Sequence, residues 1–316
     1  MTGIVMRSTG SWYEVLDKAT GALHSCRLPG KFKLKDQDLT NPIAVGDEVE
    51  FEPENESSQE AVIHTILARK NYIARQSPKS KHHIHLIASN IDQLVLLTTI
   101  VQPALKQGFI DRYLLTTEPQ NIPVILLFNK SDLWTTEMVD LFSEQKKVYE
   151  SIGYKVLNCS AADGTGIGEL RQLLAHSISL FSGQSGVGKS SVLNAVWPEL
   201  KLKTGGISDY SGKGTHTTTF AEMFHVNDSF IIDTPGIKTL SFNNLTIEDV
   251  AHNFREFFQL SVDCKFGSQC LHKNEPQCAV KKALENGSIS LSRYQNYLAI
   301  LDEIEAQNYW ERKKSY

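Results

Sequence analysis

Gly183-Gln184-Ser185-Gly186-Val187-Gly188-Lys189-Ser190 fits the pattern G-x-x-x-x-G-K-S/T and follows an apolar run, residues 178–182, that reads as a strand. Gly183, Gly186 and Gly188 permit backbone conformations that turn successive N–H groups toward phosphate oxygens. The helix expected over residues 189–196 adds the positive end of its dipole. Lys189 is expected to neutralise the outer phosphates, and the Ser190 hydroxyl to ligate magnesium. With Gln184, Ser185, Val187 and Ser191 these residues define the phosphate side of a nucleotide site.

Further along, the apolar run 230–232 leads into Asp233-Thr234-Pro235-Gly236, a strand that ends in Asp-x-x-Gly. Asp233 is expected to reach the metal through water, and the Gly236 N–H to reach the γ-phosphate. Between the two motifs lies Gly214-Thr215-His216-Thr217-Thr218-Thr219. One threonine there should complete the magnesium shell; Thr218 is our choice, with Thr217 and Thr219 left open. Many GTPases place a water-orienting Gln directly after Asp-x-x-Gly, and this chain has Ile237. An alkyl side chain cannot orient water by hydrogen bonding, so slow intrinsic turnover is expected. His216 is the expected catalytic substitute, acting beside Lys189.

Upstream, a buried-strand pattern over 123–128 runs straight into Asn129-Lys130-Ser131-Asp132. The Asp132 carboxylate at such a strand end accepts from guanine N1–H and the 2-amino group. Adenine lacks those donors and would leave the carboxylate unpaired, which favours GTP over ATP. Asn129 is expected to brace the loop, and the Lys130 stem to lie over the base. Ser160 and Ala161 follow another strand, and the Ala161 N–H would meet guanine O6. In ordinary GTPases this base-reading motif follows the phosphate loop; here it precedes it. A site built at the carboxyl ends of parallel strands tolerates that inversion, and the order reads as a circular permutation. The segment 233–240 then runs directly into the C-terminal region, a short route by which γ-phosphate-dependent movement could travel.

Residues 3–8, 12–17, 22–27, 45–52 and 61–67 are five short β-rich runs, the grammar of a small barrel of OB type, with an SH3-like barrel as the alternative. Residues 69–83 read as a basic linker broken by Pro78. From residue 84, strands (92–99, 124–129, 155–159, 178–182, 221–226, 229–233) alternate with helices (108–118, 136–152, 167–175, 189–196), which argues for a mostly parallel sheet flanked by helices. After about residue 241 the pattern turns helical, with runs at 247–260, 278–285 and 291–308. The expected class is therefore multidomain α/β: an OB-type barrel over 1–70, a circularly permuted P-loop GTPase domain over 71–241 and a helical zinc-binding domain over 242–316.

Cys264, Cys270, His272 and Cys278 supply three thiolates and one imidazole, the donor set of a closed tetrahedral zinc site. A small polar segment gains from such a staple. Cys26 and Cys159 stand alone and read as buried small residues.

The chain has 316 residues, 41% hydrophobic and 22% charged, with a net charge of −4. No apolar run approaches the roughly 20 residues that span a bilayer, and the N-terminus lacks a signal-peptide pattern, so a cytoplasmic protein without membrane contact is expected. The negative charge argues against a non-specific nucleic-acid binder, DNA included. RNA contact would need local patches: Arg27 with Lys31, Lys33 and Lys35; Arg69 and Lys70 with Arg75, Lys79 and Lys81; or Arg312, Lys313 and Lys314. Trp12, Tyr13 and Phe32 are the barrel aromatics that could stack on bases.

The permuted order, the Gly-x-His-Thr-Thr-Thr-like switch, the barrel in front and the Cys/His segment behind resemble the RsgA (YjeQ/YloQ) family of small ribosomal subunit biogenesis GTPases, over essentially the whole chain. The resemblance implies a monomeric GTPase that binds the small ribosomal subunit and its rRNA in the GTP state and leaves after ribosome-stimulated hydrolysis to GDP and phosphate. It implies magnesium and one structural zinc per chain. The chain departs from the family at Thr215, where an arginine is usual, and has Gly186 where potassium-activated relatives often carry Asn. A nucleotide-gated RNA-binding module with incidental hydrolysis is the competing reading.

Overall fold

The computed structural model describes residues 1–29, 41–55, 60–76, 84–204, 221–234 and 245–313. Alternating apolar and polar residues form the first five strands: β1 (Thr2–Ser8), β2 (Trp12–Asp17), β3 (Leu23–Arg27), β4 (Glu48–Pro53) and β5 (Glu60–Ile66). β1, β2 and β3 make an antiparallel meander, β3 pairs in parallel with β5, β5 pairs with β4, and β4 returns to β1. This closed order is that of an OB barrel, and closure removes the exposed edges. Val5, Val15, Cys26, Val49, Phe51 and Ile63 fill it. Tyr13 lies in the same core, so it is not the base-stacking residue that its aromatic ring suggested. Side chains alternate along a strand, so its neighbour Trp12 faces outward.

Part of the segment read as a linker, residues 72–76, is a strand instead. β6 (Tyr72–Gln76) and β7 (Ile84–Ser89) pair antiparallel, and Ile73, Ile87 and Ala88 join the main hydrophobic core. Basic and polar residues around them masked this alternation. A buried carboxylate ties the hairpin to the barrel. Asp47 accepts from the Ala44 N–H at 2.8 Å, from Arg69 Nε and Nη2 at 2.7 Å each, and from Ser89 Oγ at 2.5 Å. Gly46 beside it has φ +91°, and a Cβ there would lie 2.2 Å from the Ser89 carbonyl oxygen. Arg69 is thus a structural cation rather than part of an RNA patch. Lys70 pairs with Asp92 at 2.9 Å, and Arg27 pairs with Glu54. Lys31, Phe32, Lys33, Lys35, Pro78, Lys79, Lys81, Lys314 and the side chains of Arg75, Arg312 and Lys313 lie outside the described residues.

The second layer is built on β8 (Gln93–Thr99), β9 (Val124–Asn129), β10 (Lys155–Asn158), β11 (Ile178–Gly183), β12 (Glu222–Val226) and β13 (Ser229–Asp233). The order β10-β9-β8-β11-β13 is parallel throughout, and β12 runs antiparallel beside β13. β12 also meets β1 at Arg7 and Glu222, which joins barrel and sheet through hydrogen bonds. Both faces are covered by α1 (Gln107–Thr117), α2 (Thr136–Glu150), α3 (Ile167–Leu174) and α4 (Lys189–Val196). That is why β9 is apolar throughout: Ile125 and Leu127 enter the core under α3 and α4, while Leu126 and Phe128 enter the core on the other face.

The C-terminal region adds α5 (Ile247–Asn253), α6 (Arg255–Ser261), α7 (Ala279–Glu285) and α8 (Leu291–Lys313). The helix expected over 247–260 is broken at Phe254, which is extended (φ −87°, ψ 101°). Its buried ring packs against Tyr297 at 5.1 Å between centroids, and burying it takes precedence over continuing the helix. α5 opens with a capping box: Thr246 Oγ1 accepts from the Asp249 N–H at 3.1 Å, and Asp249 Oδ2 from the Thr246 N–H at 2.8 Å. Phe254, Phe257, Tyr297, Ile300 and Ile304 continue the core formed by Ile110, Tyr113 and Leu114 of α1.

Arg69→Met would leave Asp47 buried without its cation, and it is expected to destabilise the protein by about 3–5 kcal/mol in chemical denaturation. Lys70→Met at the exposed pair is expected to cost no more than about 1 kcal/mol. Equal effects would contradict this assignment.

Candidate nucleotide site and metal centre

The carboxyl ends of β8, β9, β11 and β13 converge on one edge of the sheet. β11 ends at Gly183, where a Cβ would lie 2.6 Å from the Leu97 carbonyl oxygen, so the loop can leave this strand only as glycine. Gly186 (φ +83°) and Gly188 (φ +90°) hold the loop in left-handed turns, and α4 begins at Lys189 with no side chain capping its first N–H groups. Those donors are free to face an anion.

The loop after β9 is fastened to this turn. The Asn129 side-chain amide donates to the Val187 carbonyl at 2.8 Å, and Lys130 Nζ donates to the Gly186 carbonyl at 2.9 Å. Lys130 (φ +67°) stretches its stem across the gap between them. Partial burial lowers its ammonium pKa, and Asp132 opposes that shift. Ser160 Oγ donates to Asp132 Oδ1 at 2.6 Å, which sets the carboxylate's orientation. The Ser131 N–H donates to the Cys159 carbonyl at 3.1 Å, joining the loops after β9 and β10. Cys159 is buried beneath, its Sγ 3.4 Å from Asn129 Oδ1, and burial pushes its thiol up to about 12, so it serves as an inert packing group.

Lys189 Nζ lies 2.7 Å from Asp233 Oδ1, so the cation assigned to phosphate and the carboxylate assigned to metal are adjacent. Thr234 Oγ1 donates to the Phe181 carbonyl at 2.9 Å and fastens the end of β13 to β11. Gly214, Thr215, His216, Thr217, Thr218, Thr219, Gly236 and Ile237 lie outside the described residues. The motifs did not reveal the loop after β8. There Thr99 Oγ1 donates to the Pro103 carbonyl at 2.6 Å, and the Gln102 carbonyl accepts from Lys130 Nζ. Its place at the carboxyl end of a parallel strand was the one signal in the sequence.

The second constellation lies in the C-terminal region. Cys264 follows α6, Cys270 follows a short 3-10 turn, His272 takes a left-handed conformation (φ +55°), and Cys278 immediately precedes α7. All four are buried, and their ligand atoms lie within 4.8 Å of one another. The separations Cys264 Sγ–His272 Nδ1, Cys264 Sγ–Cys278 Sγ and His272 Nδ1–Cys278 Sγ are 3.7, 4.0 and 3.4 Å. A tetrahedral zinc with bonds of about 2.3 Å to sulfur spaces its ligands by roughly 3.8 Å, so the set fits that metal. Burial pushes the Cys270 thiol up to about 12 and lowers the His272 pKa, and a cation at the centre would reverse the former by stabilising thiolate. Tyr294 and Tyr297 donate to the His272 and Leu271 carbonyls at 2.7 Å each, so α8 fixes the backbone of this loop.

The profile of the RsgA GTPase family matches residues 66–243, and that of the RsgA N-terminal domain matches residues 2–63. The small ribosomal subunit biogenesis GTPase RsgA of Flavobacterium psychrophilum is 48% identical over 96% of this chain and 93% of its own. RsgA 2 of Bacteroides thetaiotaomicron is 44% identical over 98% of this chain and 99% of its own. Among solved structures, YjeQ from Thermotoga maritima superposes with a TM-score of 0.78 at 34% identity, covering 96% of this chain and 98% of its own. YloQ, a circularly permuted GTPase, superposes with a TM-score of 0.74 at 29% identity, covering 97% and 95%. A closed five-stranded barrel, a permuted nucleotide-binding sheet and sequence likeness along nearly the whole length agree: the chain belongs to the RsgA family of GTPases.

Proposed function

We propose that the protein hydrolyses GTP during biogenesis of the small ribosomal subunit, binding the subunit and its rRNA in the GTP state and leaving after hydrolysis. One observation carries the nucleotide part: the loop with Asn129 and Lys130 is hydrogen-bonded to the Val187 and Gly186 carbonyls of the phosphate loop. A single ligand with a guanine at one end and phosphates at the other spans that junction. The assignment to the ribosomal subunit rests on the names of the relatives. Cytoplasmic location and a monomeric state belong to the same reading; no described helix is long and apolar enough to cross a membrane.

In this reading Asp132, oriented by Ser160, accepts from the guanine edge, while Asn129 braces the loop and the Lys130 stem covers the base. The Ala161 N–H meets guanine O6. The N–H groups of Gly183, Gln184, Ser185, Gly186, Val187 and Gly188, with those opening α4 through Ser191, hold phosphate oxygens. Lys189 neutralises the β- and γ-phosphates. Ser190, Thr218 and Asp233 are the magnesium ligands, and the metal supplies neutralisation of the developing phosphate charge. Gly236 holds the γ-phosphate and His216 orients the attacking water. Cys264, Cys270, His272 and Cys278 hold one structural zinc, with no position left open for substrate.

Asp132→Asn is expected to weaken binding of a fluorescent GDP analogue by roughly 100-fold or more, because one of the carboxylate's two acceptor oxygens becomes an NH2 donor that opposes a guanine N–H donor; affinity within threefold of wild type would remove Asp132 from base reading. Metal analysis is expected to find one zinc per chain. Its removal by chelator should lower the melting temperature, and an unchanged transition would leave the cluster without a structural role. Single-turnover hydrolysis is expected to be slow alone and strongly accelerated by small ribosomal subunits. His216→Ala should abolish that acceleration while GTP binding persists. Turnover indifferent to subunits would favour the RNA-binding module with incidental hydrolysis.

A further inference from the structure

The loop over residues 100–106 lies against both halves of the nucleotide site. Its Gln102 carbonyl accepts from Lys130 Nζ, and Pro103 Cδ is 3.9 Å from where a Cβ on Gly186 would stand. The loop is closed on itself by Thr99 Oγ1 to the Pro103 carbonyl at 2.6 Å and the Leu105 N–H to the Ile100 carbonyl at 3.2 Å. It feeds directly into α1. On one face of that helix, Tyr113 is fully buried.

The other face of α1 is gripped by the C-terminal helices. Buried Asp111 accepts from Arg293 Nη1 at 2.7 Å, Asn296 Nδ2 at 2.6 Å and the Tyr149 hydroxyl at 2.7 Å. Arg293 also makes a two-pronged pair with Glu256 of α6, at 2.7 and 2.8 Å, and its guanidinium lies 4.4 Å from the Phe254 ring centroid. A Cβ on Gly108 would stand 3.3 Å from Asn296 Oδ1, so α1 and α8 meet closely. Arg112 and Glu303 form an ion pair at the rim. α6, which carries Glu256, leads into Cys264 of the zinc loop.

We propose that α1 and residues 100–106 form a strut through which the C-terminal helices set guanine-nucleotide affinity, with Arg293 and Asn296 as positioning residues acting through Asp111. The inference rests on the nucleotide reading above. Its physical basis is that buried charges cannot slide past one another without leaving one unpaired. A displacement of α8 therefore carries Asp111 and α1 with it, and α1 is continuous with the loop whose Gln102 carbonyl accepts from Lys130 Nζ. Coupling of this kind is reciprocal, so nucleotide must in turn alter α8.

The test uses the full-length, zinc-loaded protein with Asn296→Leu and Glu303→Gln, titrated with a fluorescent GDP analogue, alongside hydrogen exchange with and without GDP. The expected results are a change in affinity of about fivefold or more for Asn296→Leu, a smaller change of the same sign for Glu303→Gln, and slower exchange across residues 291–301 of wild type with GDP. A purely structural role for the cluster would lower the melting temperature and leave affinity unmoved. A folded Asn296→Leu protein whose affinity stays within twofold of wild type therefore overturns the proposal. If Asn296→Leu does not fold, the wild-type exchange decides: identical protection of residues 291–301 with and without GDP overturns it equally. A wild-type protein that binds no GDP would instead defeat the nucleotide reading.

Discussion

The Asn129 side-chain amide donates to the Val187 carbonyl at 2.8 Å, and most of the nucleotide site depends on that contact being possible. It spans two loops that leave neighbouring regions of one parallel sheet, and it requires glycine next to it. A Cβ on Gly188 would sit 2.4 Å from the same amide nitrogen. The parallel arrangement puts all strand ends on one edge, so the hydrogen bond forms whichever loop comes first in the chain. Circular permutation is therefore compatible with an unchanged site. What the permutation alters is the surroundings: the barrel precedes the sheet, and the helices that carry the Cys/His cluster follow it.

Both attachments are made with buried charge. Asp47 with Arg69 and Ser89 secures the barrel to the hairpin, and Asp111 with Arg293 and Asn296 secures the C-terminal helices to α1. Burial holds the Asp111 carboxyl above its ordinary range despite the pull of Arg293. Such pairs add little net stability over a packed apolar contact, but they demand one relative placement and penalise every other. Apolar surface alone would allow sliding.

The Cys/His loop follows the same logic on a smaller scale. Its ligands come from turns between short helices, and the hydroxyls of Tyr294 and Tyr297 hold its backbone from α8. Cysteine–histidine cluster, loop and long helix thus form one unit, and α8 of that unit meets α1.

Periodicity and motif spacing determined much of this protein in advance of any packing. Strands 124–129 and 229–233, the helix over 189–196, the five barrel strands and the Cys264–Cys278 donor set were legible because each depends on local spacing, which side chains alone dictate. Tertiary structure decided the rest. Ile73 and Ile87 form a hairpin because their partners lie across a polar tract, and Tyr13 turns inward because the barrel closes over it. Phe254 breaks a helix to reach Tyr297. Asp111 and Arg293 are 182 positions apart, and no local pattern carries information about which charge will meet which across that distance. The reason is physical: local sequence sets which face of an element is apolar, while the partner of a buried polar group is chosen only when those faces are packed together.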